Sequence, residues 1–269
     1  METTKVLFIS QEITPYLPES EMSLIGRYLP QGIQEKGREI RTFMPRFGNI
    51  NERRNQLHEV IRLSGMNLII DDSDHPLIIK VASIQAARMQ VYFIDNDDYF
   101  HRKTTIQSPE GKYFEDNDER MIFFARGVLE TIKKLRWSPD IIHCHGWFTS
   151  LVPLYIKKSY SDEPLFTNSK VIFSAYDNAL NETYRDDFLG KMKFDGVEDE
   201  DLKMMEKPTF DKLTKFAFKY SDAIIKGSES LPQFIEQQIS DLDIPILDYQ
   251  DPEKYIEEYS DFYDKILTE

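Results

Sequence analysis

Two histidines flank the chain's single cysteine in the run His143, Cys144 and His145, and both residue types bind zinc. Side chains alternate between the two faces of a strand, so the histidines would share one face and the cysteine would occupy the other. Two ligands on one face are too few for a metal site, and the sequence has no further cysteine–histidine cluster. The run therefore predicts two histidines at the carboxyl end of a buried strand, and no metal. Ligands of open α/β sheets bind beyond such strand ends.

Glycine-rich loops that cradle phosphate groups do not occur in the sequence. No GxGxxG follows the first apolar segment, and Gly190 and Gly227 lack the glycine spacing of a Walker loop. Carboxylate pairs are too numerous for any one pair to indicate acid–base catalysis. We therefore predict no cofactor.

Composition and charge exclude several classes of function for this chain. The chain has 269 residues, 41% of them hydrophobic, which is enough for one sizeable domain or a domain with an appendage. The net charge is −14, of which residues 241–269 carry −8, and this acidity argues against nucleic acid or an anionic membrane as partner. The single cysteine excludes an intramolecular disulfide and, with no signal peptide or membrane-length apolar run visible, predicts a cytoplasmic setting.

The elements that would position these residues alternate between strands and helices. Residues 5–9 and 40–44 are predicted strands around a helix at 19–35, in which Pro30 should cause a kink or a split. This is a βαβ unit, which predicts a parallel sheet. Four closely spaced strands, at 60–63, 66–70, 77–84 and 89–94 with a turn at 71–74, predict an antiparallel excursion.

The second half returns to the alternating pattern. Asp116 is the predicted cap of a long helix ending near residue 135. Strands are then predicted at 141–145, 171–175 and 223–225, and helices at 147–157, 210–220 and 231–239. The fold class is therefore α/β, with one doubly wound, Rossmann-like domain. A last helix at 251–267 has an apolar stripe that favours packing on its own domain, with a partner-binding helix as the alternative.

Several short motifs occur in a fixed order between residues 5 and 235. They include KVLFIS at 5–10, VYFIDN at 91–96 followed by Tyr99, Phe100 and Arg102, the pairs Asp116-Asn117 and Glu119-Arg120, HCHGW at 143–147 and SDA at 221–223. In this order they resemble the N-terminal half of bacterial glycogen synthases and plant starch synthases, the family-five glycosyltransferases. The resemblance implies the N-terminal Rossmann-type domain of a GT-B fold and a glucosyltransferase ancestry.

The first departure from the family lies in the loop after the first strand, which in the family reads Lys-Thr-Gly-Gly-Leu. The resemblance implies that its lysine and glycine amides approach the phosphates of the donor. Here Pro18 stands at the lysine position, and Ser20 and Glu21 stand at the glycine pair. A carboxylate at this point would repel a diphosphate.

Two further motifs have lost site residues. Gly146 replaces the acidic residue of the family's HDW motif, and Tyr176 and Asp177 replace the histidine and asparagine of its FTxHN motif. A tyrosine can still form a hydrogen bond there, but it cannot act as an imidazole would. Together with Pro18, Ser20 and Glu21, these positions leave no predicted catalytic residue.

The family's second domain, which supplies most of the donor site, would need about 150–200 further residues. Residues 1–240 are interpreted as the N-terminal domain, and residues 241–269 as an acidic linker and C-terminal helix. This last helix resembles the one that crosses back onto the N-terminal domain in the family. We therefore expect it to pack against residues 1–240.

The favoured hypothesis is a glycogen synthase-like protein that is inactive alone and binds an α-glucan or a partner protein. Two alternatives stay open: half of a split nucleotide-sugar glucosyltransferase completed by another chain, and a pure protein-interaction module. A ligand pocket is predicted at the strand ends, lined by Glu12, Tyr16, His145, Trp147, Tyr176 and Asn178.

Overall fold

The computed structural model describes residues 3–180 and 183–268. The strands are β1 Lys5–Ser10, β2 Glu39–Pro45, β3 His58–Glu59, β4 Met66–Ile70, β5 Ser73–Ile84, β6 Met89–Asp95, β7 Ile141–His145, β8 Lys170–Ala175, β9 Ala223–Lys226 and β10 Ile246–Leu247. The helices are α1 Glu21–Glu35, α2 Asp97–Phe100, α3 Asn117–Leu135, α4 Val152–Lys157, α5 Phe188–Met192, α6 Asp199–Leu202, α7 Phe210–Lys219, α8 Gln233–Ser240 and α9 Tyr255–Thr268.

One sheet runs through the molecule in the order β10-β9-β8-β7-β1-β2-β6-β5-β3, with β4 paired to β5 outside this path. The pairs from β10 to β6 are parallel, whereas β3, β4 and β6 all pair with β5 in antiparallel fashion. The predicted fold class, including its antiparallel excursion, is therefore confirmed. The chain winds outward from β1 in both directions, which makes the β1–β7 boundary the topological switch point.

The strand register brings the chemically interesting residues together. Ser10 on β1 pairs with His145 on β7, which in turn pairs with Ser174 on β8. Next along the edge, Ala175 on β8 pairs with Lys226 on β9. These positions all lie at the carboxyl ends of parallel strands.

The helix α1 is continuous although it contains Pro30, so of the two predicted alternatives the split does not occur and the kink stays a prediction. Proline inside a helix costs about 3 kcal/mol because it lacks the N–H donor and crowds the preceding turn. Leu29 and Ile33, on either side of Pro30, are fully buried, and this burial offsets the local cost.

The antiparallel region differs from its prediction in one strand. Residues 60–63 form a turn, in which the Leu63 amide donates to the Val60 carbonyl at 2.8 Å, and Leu63 itself is buried. A short apolar run does not distinguish a strand from a buried turn. The predicted turn at 71–74 is shorter in the structure: Asp71 and Asp72 have φ of 49° and 61°, and β5 already begins at Ser73. Two positive φ angles in a two-residue hairpin loop are the geometry of a type I′ turn.

The helices α1, α4, α8 and α9 begin later than predicted, and α3 begins where predicted but lacks the predicted cap. Asp116 precedes α3 but makes no side-chain cap, because its carboxylate pairs with Arg102, Oδ1 lying 2.9 Å from Nη1. The helix predicted at 147–157 is a 3₁₀ turn, Trp147–Thr149, followed by α4. The last helix begins at Tyr255 rather than at residue 251.

The helix α9 packs back onto the domain, as the apolar stripe predicted. Its buried residues Tyr255, Tyr259, Phe262, Tyr263 and Ile266 join one core cluster with α1 and one face of β1, β7, β8 and β9. At the rim, Arg38 Nη2 donates to the Ser260 carbonyl at 3.1 Å and to Asp264 Oδ2 at 2.8 Å. Within the described residues, none of the helices combines the length and apolarity needed to cross a bilayer.

Candidate functional site

Two buried histidines lie side by side at the end of β7. The rings of His143 and His145 have centroids 3.8 Å apart, on the face of the sheet that α9 covers, while Cys144 belongs to the core on the other face. Hydrogen bonds join His143 Nδ1 to Tyr263 Oη at 2.6 Å and Nε2 to Ser174 Oγ at 2.7 Å. His145 Nδ1 is bonded to Tyr176 Oη at 2.8 Å.

Burial holds both imidazoles in the neutral form. Burial lowers the pKa of His143 well below its ordinary value, with the neighbouring His145 acting in the same direction. Burial alone lowers the pKa of His145 to about 3. A neutral imidazole has one donor and one acceptor nitrogen, and hydroxyl groups serve either role. Both ring nitrogens of His143 and Nδ1 of His145 are therefore bonded within the chain itself, and no group of three or more potential metal ligands occurs in residues 3–180 and 183–268.

Tyr176 fills the space beyond the end of β8. Its side chain is buried, and burial raises its pKa well above the ordinary value, so the hydroxyl stays protonated. The ring lies directly over Gly227, where an added Cβ would come within 2.6 Å of Tyr176 Cε1. Glycine at 227 is therefore what allows tyrosine at 176.

Carboxylates surround the amino terminus of α1. Ser20 and Ser23 cap the helix reciprocally, each hydroxyl accepting from the other residue's amide at 3.0 and 2.8 Å. The Ser20 hydroxyl donates in turn to Glu12 Oε2 at 2.7 Å, and the Ser228 hydroxyl donates to Glu21. A helix amino terminus ordinarily attracts anions, but here its capping site is used and two acidic groups stand beside it.

Gly146 has backbone dihedrals that disfavour any side chain. Its φ is +83°, and an added Cβ would lie 2.7 Å from Met22 Sδ and 3.0 Å from Gln11 Oε1. The Gln11 amide oxygen also accepts from the Phe148 amide at 3.1 Å, which holds it in place. A side chain at position 146 would therefore be strained by the positive φ and would require Met22 and Gln11 to move.

The six residues predicted to line a pocket are placed as follows. Trp147, Tyr176 and Asn178 border a small space of about 10 Å³, which holds no more than one water molecule. His145 lies behind Tyr176, and Glu12 lies beside the α1 cap. Tyr16 packs edge-on against Phe93, with ring centroids 4.9 Å apart, and is not brought together with the others. Ligand contact by these six residues stays a prediction.

An open groove adjoins this filled site. The groove has a volume of about 640 Å³ and separates α1 from the segment before α9. We call it the tyrosine groove; its lining includes Glu21, Leu24, Ile25, Tyr28, Tyr249, Gln250, Tyr255 and Tyr259. Leu24 and Tyr28 are 36% and 48% exposed. The sequence gives one sign of this groove, since Leu24 and Tyr28 are large apolar residues four positions apart on α1.

Comparison with known proteins assigns the family. Residues 5–241 match the model of the starch synthase catalytic domain. The chain belongs to this family.

Similar proteins are glycogen synthases. That of Chlorobium luteolum is 35% identical over 199 residues, which are 74% of this chain and 40% of the relative. That of Chlorobaculum parvum is 32% identical over 244 residues, covering 88% and 48%. The catalytic domain of starch synthase IV from Arabidopsis thaliana, solved bound to ADP and acarbose, has a TM-score of 0.68 at 19% identity, covering 83% of this chain and 45% of the other. The chain thus spans less than half the length of these relatives, and the last likeness shows the fold alone.

Proposed function

We propose that this member of the starch synthase family transfers no glucose by itself and binds an α-glucan segment in the tyrosine groove. The proposal rests on the difference between two neighbouring sites, the strand-end site and the tyrosine groove. The chain's own side chains fill the strand-end site, whereas the groove beside it stays open and aromatic.

The loss of transfer follows from the charges at the donor side. A nucleotide-sugar diphosphate near the amino terminus of α1 would face Glu12 and Glu21. At about 4 Å, each pair of like charges costs about 1 kcal/mol in water and more at lower dielectric. The neighbouring imidazoles His143 and His145 are neutral at pH 7 and supply no compensating positive charge.

The groove has the chemistry expected of a carbohydrate site. A pyranose ring presents an apolar face and a rim of hydroxyl groups, and tyrosine offers a flat apolar ring with a polar tip. Tyr28 and Tyr249 are accessible on the two sides of the groove, and Glu21 and Gln250 provide hydrogen-bonding groups at its edge. The volume lies within the range of about 300–1,000 Å³ typical of ligand sites. Glu21 repels an anionic nucleotide, but it does not repel a neutral ligand.

The binding test is a calorimetric titration with maltoheptaose. We expect saturable heat for the unmodified chain and at least about tenfold weaker binding for Tyr28→Ala and Tyr249→Ala, equal to about 1.4 kcal/mol for each lost stacking contact. Ile61→Ala is the matched control, because Ile61 is 83% exposed and outside the groove. Absence of saturable heat, or equal weakening by the control, contradicts the glucan site and favours the protein-interaction alternative.

The activity test uses ADP-glucose and UDP-glucose as donors with maltoheptaose as acceptor. We expect no incorporation of glucose by the chain alone. Turnover by the chain alone contradicts the proposal. Turnover that appears only when a second polypeptide is added identifies the split-enzyme alternative, and Glu21→Gln would then change the apparent donor affinity.

A further inference from the structure

A second cavity lies at the opposite edge of the sheet, where the parallel strands β2 and β6 begin. It has a volume of about 460 Å³ and shares no residue with the tyrosine groove. Its polar lining includes Gln34, Arg41, Gln85, Arg88, Gln90 and Tyr92, and we call it the arginine pocket. Two arginines line it and no carboxylate does, although the chain as a whole has a net charge of −14.

Arg41 is held in place before any ligand arrives. Its guanidinium donates from Nη1 to Tyr92 Oη at 3.0 Å and lies 5.2 Å from the centroid of the Trp137 ring. Its Nε is buried and has no hydrogen-bond partner among the residues that the structure describes. Glu39 Oε1 is 3.9 Å from Arg41 Nη2, but it accepts a stronger bond from Trp137 Nε1 at 2.6 Å. The Arg41 side chain is 25% exposed, so a guanidinium held in this position is suited to an anionic oxygen.

Arg88 supplies the second positive charge of the pocket. It follows the 3₁₀ turn Gln85–Ala87, and its φ of 50° sets the direction in which the chain enters β6. The side chain is exposed, and it has neither a hydrogen bond nor an ion pair to the residues that the structure describes. The Arg88 guanidinium can therefore bind a ligand without losing an existing hydrogen bond or ion pair.

Gln34 adds a hydrogen-bond acceptor to the two positive charges. Its amide oxygen, Oε1, is buried and finds no hydrogen-bond partner within residues 3–180 and 183–268. An acceptor oxygen needs a donor, which a phosphate dianion lacks and a hydroxyl group supplies. Gln85 and Gln90 add amide groups at the exposed rim.

We propose that the arginine pocket binds a small phosphomonoester of a polyol, with the phosphoryl group between Arg41 and Arg88 and a hydroxyl group donating to Gln34. Arginine forms bidentate, charge-assisted bonds with phosphate, which are stronger than neutral ones. The cavity volume admits a ligand of sugar-phosphate or nucleoside-monophosphate size. The pocket therefore gives the protein a ligand class other than glucan, at a place remote from the strand-end site.

The test is a calorimetric titration of the full chain with glucose 6-phosphate, AMP and inorganic phosphate. We expect saturable binding of at least one ester, at least about tenfold tighter than that of inorganic phosphate. The ester that binds tighter identifies the source of the phosphomonoester, a sugar or a nucleoside. Failure of both esters to saturate at millimolar concentration, or binding no tighter than that of inorganic phosphate, overturns the proposal.

Two variants of pocket residues and one control variant locate the site. Arg88→Gln changes an exposed side chain without partners, so the fold should persist, and it should weaken binding of the preferred ester at least about tenfold. Arg62→Gln removes the same charge from an exposed position outside the pocket and should leave binding unchanged. Equal weakening by both variants would mean a general charge effect and overturn the assignment. Gln34→Leu should reduce the preference for the ester over inorganic phosphate, and an unchanged preference contradicts the role given to Gln34.

Discussion

At the residue scale, the strand-end site is defined by pairs of side chains that depend on each other. Tyr176 occupies its place because Gly227 leaves room for the ring, and His145 is bonded to the hydroxyl of that ring. The sequence identified Tyr176 and His145 as notable, and it indicated that the histidines share one face. It could not give Gly227 its role, because only the tertiary structure places position 227 under the ring of residue 176.

Gly227→Ala is expected to destabilise the fold by about 1–3 kcal/mol, because the new methyl group overlaps the Tyr176 ring. Gly190→Ala is the matched control. A Cβ at position 190 meets no described residue within 4 Å, and alanine favours the helix α5. Urea unfolding of both variants checks this, and a Gly227→Ala protein as stable as the original would contradict the packing described for Tyr176.

The neutral histidines predict a stability loss on acidification. Their folded-state pKa values lie below the unfolded value of about 6.5, His145 at about 3, so only the unfolded chain takes up these protons between those limits. The free energy of unfolding therefore has its full value above about pH 6.5. At lower pH it decreases by up to about 1.4 kcal/mol per pH unit for each histidine. His145→Gln should remove one such contribution. The measurement is the free energy of unfolding between pH 6.5 and 5, and equal slopes for the two proteins would contradict it.

At the element scale, α9 is attached to the sheet by both apolar contact and one specific hydrogen bond. Its stripe of Tyr255, Tyr259, Phe262 and Ile266 was visible as a three- and four-residue repeat, and packing against the domain was predicted from it. The bond from Tyr263 to His143 joins residues 120 positions apart, and no local pattern encodes such a pair. For the same reason the turn at 60–63 was mistaken for a strand, since burial and not local periodicity determines its conformation.

Tyr263→Phe should cost about 1–3 kcal/mol, because it leaves a fully buried ring nitrogen of His143 without its partner. Tyr28→Phe removes the same hydroxyl from a residue that is 48% exposed and should change stability by less than about 0.5 kcal/mol. Thermal unfolding at pH 7.5 compares the two. Similar stability of the two variants would show that the His143 bond has no role in attaching α9.

At the scale of the whole molecule, residues 241–268 complete the sheet and its covering layer. The strand β10 extends the sheet beyond β9, and α9 covers apolar residues of four strands. The general architecture followed from the alternation of strands and helices, and the family from the ordered motifs. The tyrosine groove did not, because it forms only where α1 and the segment before α9 approach each other.

A chain that stops after residue 250 should lose its native packing, because the side chains that α9 buries, such as Val6 and Phe8, would meet water. We expect strong binding of a hydrophobic dye and loss of the near-ultraviolet circular dichroism signal. A chain that stops after Leu267 keeps all the buried α9 residues and should behave as the original. Native spectra for the shorter chain would show that α9 is dispensable to the fold.

Gly146 limits which residues a single mutation can place in this turn. Its φ of +83° is strained for any residue with a Cβ, and Gln11 Oε1 stands 3.0 Å from where that atom would lie. Moving Gln11 Oε1 would break the buried hydrogen bond that it accepts from the Phe148 amide. Engineering an acidic group into this turn would therefore call for a coordinated change at position 11 as well as the substitution at 146.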